Sequence, residues 1–158
     1  MQTFALILSL AVGALWSPCF AQTTEDKRAI QLETERKKLD KTKDPADRTE
    51  SLMKIAGINL EYMVDAARRS DFASMQSSLQ QYRQAVTDAR DTMMNSGLNP
   101  YKKPKGYQAV EVAVRKHLAV LQDTARGLTL SQRQPIEETI QTVSKIRNEF
   151  LHALFKQP

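Results

Sequence analysis

The 158-residue sequence is poor in the residues that build sheets, disulfides and reactive sites: it has five glycines, six prolines, two histidines, one tryptophan and one cysteine. So few turn formers leave little material for a many-stranded sheet and favour long helices. A lone cysteine excludes an internal disulfide and a Cys-x-x-Cys-His haem attachment, so stability has to come from packing. Glycine-rich phosphate loops and glycine-flanked nucleophile turns are also missing. The serines, from Ser51 to Ser144, fall at helix caps or on polar faces with no histidine nearby in sequence. Strong charge of one sign is lacking too. The net charge of +5, from 23 basic and 18 acidic residues, is modest beside the concentrated surplus of a nucleic-acid binder, so no nucleic-acid partner is expected.

No charged side chain occurs in residues 1–21. Phe4 to Trp16 is an apolar run, Ser17 and Pro18 break it, and Cys19-Phe20-Ala21 presents small residues where a signal peptidase inspects them. Cleavage after Ala21 is expected, leaving a periplasmic or secreted chain that starts at Gln22 and contains no cysteine. Trp16 and Pro18 stand where a lipoprotein signal carries an aliphatic and a small residue, so lipidation is disfavoured. The apolar run is shorter than the ~20 residues a spanning helix needs. No stable transmembrane segment is expected after signal removal.

What is abundant is helical periodicity. Phe72, Met75, Leu79, Tyr82, Val86, Ala89 and Met93 recur at alternating spacings of three and four, one face of a long helix with coiled-coil-like spacing. The residues flanking this stripe are mostly glutamine, serine and threonine, where a coiled coil seeking a separate chain would carry complementary charges. The stripe therefore predicts an internal wall. Asp44 followed by Pro45 signals a second helix start, and Met53, Ala56, Leu60, Met63 and Ala67 give that helix a broad apolar face. Gly97 followed by Leu98 predicts a left-handed C-terminal cap. A loop from Asn99 to Gly106 separates this helix from one over Tyr107 to Arg126 with Tyr107, Val110, Val114, Leu118, Leu121 and Ala125 inward. A last helix is expected from Pro135 to Phe155, burying Ile136, Ile140, Val143, Ile146, Phe150 and Leu154. Residues 22–43 read as a weakly amphipathic N-terminal helical arm with only Ile30, Leu32 and Leu39 as large apolar residues. The fold class is all-α: an antiparallel helical bundle of four long helices over residues 44–158, preceded by that arm.

Catalytic residues and cofactors are not called for by any motif. Glu149 and His152 form a Glu-x-x-His pair, which binds metal in some bundles, yet a second copy and two further carboxylates are lacking. Met53, Met63 and Met75 fall on core stripes, with Met93 and Met94 at the end of one, which reads as packing material. The best interaction surface is the basic loop. Lys102, Lys103 and Lys105 interleave with Tyr101 and Tyr107, with Arg115 and Lys116 further along the helix, a set suited to an anionic envelope component such as a phospholipid head group.

Leu128-Thr129-Leu130-Ser131-Gln132 resembles the Leu-Thr-x-x-Gln pattern of small periplasmic helical chaperones and metal-stress sensors. That resemblance implies a helical periplasmic protein that suppresses aggregation of unfolded clients. Its local chemistry is that of a helix start, with Thr129 capping, Gln132 reciprocating and Leu128 as staple. The tail from Ile146 to Phe155 resembles small exported helical proteins without assigned activity. The sequence thus points to an exported, non-enzymatic helical bundle that binds a protein or an anionic envelope surface, with the chaperone or stress sensor and a metal-binding bundle as alternatives.

Overall fold

A computed structural model of the chain describes residues 22–155 and contains five helices: α1 (Gln22–Lys41), α2 (Pro45–Arg68), α3 (Phe72–Met94), α4 (Lys105–Arg126) and α5 (Leu130–Phe155). The described residues hold no strand, and none of their helices is long and apolar enough to cross a membrane. The expected signal segment, residues 1–21, lies outside the described residues.

Helix starts follow the local chemistry. The Asp44 carboxylate accepts hydrogen bonds from the backbone N–H of Ala46 (2.9 Å) and Asp47 (3.0 Å), with Pro45 at the first helical position. Asp71 accepts from Ser74 N–H at 3.1 Å and starts α3. Gly97 adopts φ +69°, the left-handed conformation predicted after α3, and Leu98 packs against the core. The start of α5 differs from the expectation. It begins at Leu130, five residues before Pro135, because Gln132 Oε1 accepts from Thr129 N–H (3.2 Å) and caps the helix ahead of the proline. Pro135 is then carried inside the helix as its sixth residue, where it supplies no N–H to the Ser131 carbonyl one turn before it. That hydrogen bond gives the Leu-Thr-x-x-Gln segment its structural role. α4 likewise begins at Lys105, two residues before Tyr107.

The apolar faces meet as periodicity demands. Met63, Met75, Tyr82, Val86, Met93, Val110, Val114, Leu121, Ile136 and Phe150 are almost completely buried. Each large apolar side chain so buried contributes about 1.5–3 kcal/mol relative to exposure. Leu118, Ile140 and Leu154 are only partly buried at the margin of this core. α2 touches α1, α3 and α4, and α5 touches α3 and α4.

The end of α3 lies over the start of α4, since a Cβ on Gly106 would overlap Met93 Sδ. The same Cβ would come within 3.2 Å of Ala46 Cα at the start of α2. Further along, a Cβ on Gly57 would lie 3.6 Å from His117 Nε2. These two contacts give neighbouring α2 and α4 the same direction. Arg90 Nε donates to Glu149 Oε2 at 2.6 Å, linking the C-terminal parts of α3 and α5.

α1 is held to α2 mainly by polar pins. Arg28 pairs with Asp65 (2.6 Å) and lies over the Tyr62 ring (4.9 Å), and Lys54 reaches Glu35 (3.5 Å). Arg48 Nη1 donates to the carbonyls of Leu39 (2.7 Å) and Thr42 (3.0 Å), satisfying orphan acceptors at the end of α1. Leu32 and Leu39 pack on the core while Ile30 stays exposed, in keeping with the weak amphipathicity read from the sequence.

Candidate functional site

The loop between α3 and α4 is a folded turn. Asn99 Oδ1 accepts from the backbone N–H of Tyr101 (2.9 Å) and Lys102 (3.3 Å), and Asn99 O accepts from Lys103 N–H (2.9 Å). This Asx turn fixes the backbone while leaving Lys102 and Lys103 exposed. Beside it, an open groove of about 930 Å³ lies between the loop, the start of α2 and the first three turns of α4. Four of the five basic residues singled out by sequence, Lys102, Lys103, Lys105 and Lys116, line it. Arg115 does not. It turns toward Glu111, at 3.8 Å. Tyr107 is buried with the apolar stripe of α4, as its spacing predicts, so it does not interleave with the lysines; it donates its hydroxyl hydrogen bond to Leu98 O at 3.0 Å.

The charges of the groove are unequal in their engagement. Lys105 Nζ pairs with Asp47 (2.7 Å) and Glu50 (3.6 Å), and its hydrogen bond holds the Asp47 carboxyl below the usual carboxylate range. Asp44 is occupied as the α2 cap. Lys102, Lys103 and Lys116 pair with no carboxylate among the described residues. The groove therefore presents three unneutralised ammonium groups, and its two carboxylates are already in use.

His117 lines the inner wall of the groove and meets the buried Tyr82 ring edge-on, with centroids 5.5 Å apart. Its Nδ1 and the Tyr82 hydroxyl are both buried without a hydrogen-bond partner. Burial, helped by the Lys116 charge, pushes the imidazole pKa down from 6.5 to about 4. No sequence signal marks this pair, because helical spacing alone does not reveal which residues of α3 and α4 meet.

A depressed pKa has a defined sign for stability. Neutral His117 favours the fold fully above pH 6.5, and that contribution disappears as pH falls toward about 4. The upper bound is about 3 kcal/mol, and partial contact of the ring with the groove keeps the real value lower. Urea midpoints measured from pH 7 to pH 4 are expected to fall, and a His117→Gln variant should show a smaller fall across that window. Equal slopes for both proteins would dismiss His117 as the cause.

The Glu-x-x-His pair is taken apart by the fold. Glu149 is bound to Arg90 at 2.6 Å and His152 is exposed. Among the described residues no three His, Cys, Asp or Glu side chains are grouped to hold a metal ion. Met53, Met63, Met75 and Met93 are core residues.

Compared with known proteins, the chain matches no family model, no curated protein and no solved structure. The functional reading therefore rests on the groove and its surroundings. A second cleft of about 560 Å³, missed at the sequence level, lies on the other side of α4 between the loop and the end of α5. Tyr101, Val112, Leu154 and Phe155 line it, and it shares Pro104, Gln108 and Val112 with the lysine groove. The signal for it was the exposed pairing of Tyr101 with a helix ending in Leu-Phe. Only the packing of α4 on α5 brings those segments together.

Proposed function

We propose that this chain is an exported, non-enzymatic protein, an antiparallel bundle of four long helices with an N-terminal helical arm, that binds an anionic envelope surface through its lysine groove. Export follows from the signal read in residues 1–21 and cleavage after Ala21. In this reading the bundle is the two hairpins α2/α3 and α4/α5, each antiparallel within itself, with α2 beside α4 in the same direction. The observation that carries the binding reading is the convergence of Lys102, Lys103 and Lys116, none paired with a carboxylate among the described residues, on one groove in which Lys105 neutralises Asp47 and Asp44 caps α2. Three unneutralised lysines near an anionic surface contribute about 1 kcal/mol each.

Co-sedimentation with vesicles is the direct test. Binding is expected on phosphatidylglycerol vesicles, with little on zwitterionic ones, and it should weaken as salt rises. The triple variant Lys102→Glu, Lys103→Glu, Lys116→Glu should bind about a hundredfold more weakly, with helicity unchanged because all three side chains are exposed. Equal binding by the parent and the triple variant, or none by the parent, rejects this function.

A further inference from the structure

We infer that the apolar cleft beside the lysine groove is a membrane-interface wedge: Tyr101 and Phe155, with Leu154 behind them, enter the head-group and acyl boundary of an anionic phospholipid bilayer while the lysines hold its phosphates. This rests on the lysine-groove reading and adds to it what lies on the other side of α4.

Four observations meet here. First, six large apolar side chains are exposed on the described surface, and three of them, Tyr101, Val112 and Phe155, line this one cleft. Phe155 is 75% exposed at the end of α5, and Tyr101 is 49% exposed on the loop. Scattered exposed apolar residues need no explanation, whereas a cluster marks an interaction surface. Second, the cleft and the groove share Pro104, Gln108 and Val112, so they are two halves of one face across the start of α4.

Third, that face keeps cations with no carboxylate partner among the described residues. Its carboxylates are already engaged, Asp44 by the α2 cap, Asp47 by Lys105, and Glu111 by Arg147 at 3.0 Å. Lys102, Lys103 and Lys116 are left to meet an external anion. Fourth, the side-chain types suit a bilayer boundary. Aromatic rings favour the head-group level, lysines on flexible stems reach phosphates beside them, and apolar burial with electrostatic attraction together give interfacial binding. A face whose aromatics sit at its edge and whose cations flank them is complementary to a planar array of acyl chains under phosphates.

The test places a reporter in the wedge. In Phe155→Trp the chain from Gln22 onward carries no other tryptophan, so the emission reports on position 155 alone. On phosphatidylglycerol vesicles the Phe155→Trp signal is expected to shift to the blue and to be quenched by lipids brominated near the head group. A Tyr101→Ser/Phe155→Ser variant, with every lysine intact, should lose about tenfold in vesicle affinity while keeping its helical spectrum. Lysine-dependent vesicle binding with no blue shift, no quenching and no loss in the double-serine variant overturns the wedge and leaves the lysine reading standing. Absence of vesicle binding by the parent protein overturns both. A parent that elutes as a dimer, with the double-serine variant a monomer, assigns the cleft to a second copy of the chain and also overturns the wedge.

Discussion

Leu79→Asp is expected to leave the protein without a folded state. Leu79 is 3% exposed on α3 and belongs to the central core with Met75, Tyr82 and Val86. The substitution removes about 2–5 kcal/mol of buried side-chain packing and places a carboxylate where no cation neutralises it. A single domain has only about 5–15 kcal/mol in total. Far-UV circular dichroism should show lost helicity, and size exclusion an expanded chain. A folded monomer that had merely lost self-association would show that the stripe belongs to a partner chain.

Gly106→Val should cost about 3 kcal/mol and loosen the groove that carries the lysines. A Cβ here overlaps Met93 Sδ, and it lies 3.1 Å from Met93 Cε and 3.2 Å from Ala46 Cα. Met93 is fully buried, so the flexible end of its side chain has to repack inside the core, and the Ala46 backbone is fixed by the Asp44 cap. Relief takes a repacking of the Met93 side chain of α3 and a shift of α4 away from Ala46 on α2, an overpacking strain of about 1–3 kcal/mol that the two extra methyls of valine increase. Gly57→Ala is the matched control on the same contact. Its Cβ would meet His117 Nε2 at an ordinary 3.6 Å, so the helix-propensity gain of up to about 1 kcal/mol is retained. Urea denaturation should give a large drop for Gly106→Val and no drop for Gly57→Ala. Equal midpoints for Gly106→Val and the parent would mean that α2 and α4 are not held this close.

Much of the helical architecture was legible because its signals are local. Asp44 with Pro45, Asp71, and Gly97 with Leu98 mark ends through hydrogen bonds and backbone angles formed within a few residues. The five-residue error at α5 has the same origin. Pro135 reads as the first residue of the helix, while the Thr129 to Gln132 cap upstream supplies the start and leaves the proline as the sixth helical residue. For the candidate site, the lysines were legible as a basic cluster, and Arg115 and Tyr107 were misplaced within it. Arg115 follows Glu111 one turn away on α4, and Tyr107 turns inward to the carbonyl of Leu98.

The sequence by itself determined that this chain is helical, where most helices begin and end, and which face of each is apolar, because those properties follow from spacing and from groups within one turn. The tertiary structure decided which faces meet. An apolar stripe fits many partners, and only the close approach of α2 and α4 at Gly106, in the same direction, sets His117 against Tyr82 and the loop lysines beside Lys116. The docking of α5 on α4 then brings Phe155 next to Tyr101. Residues about fifty positions apart become one face through packing, which no local periodicity encodes.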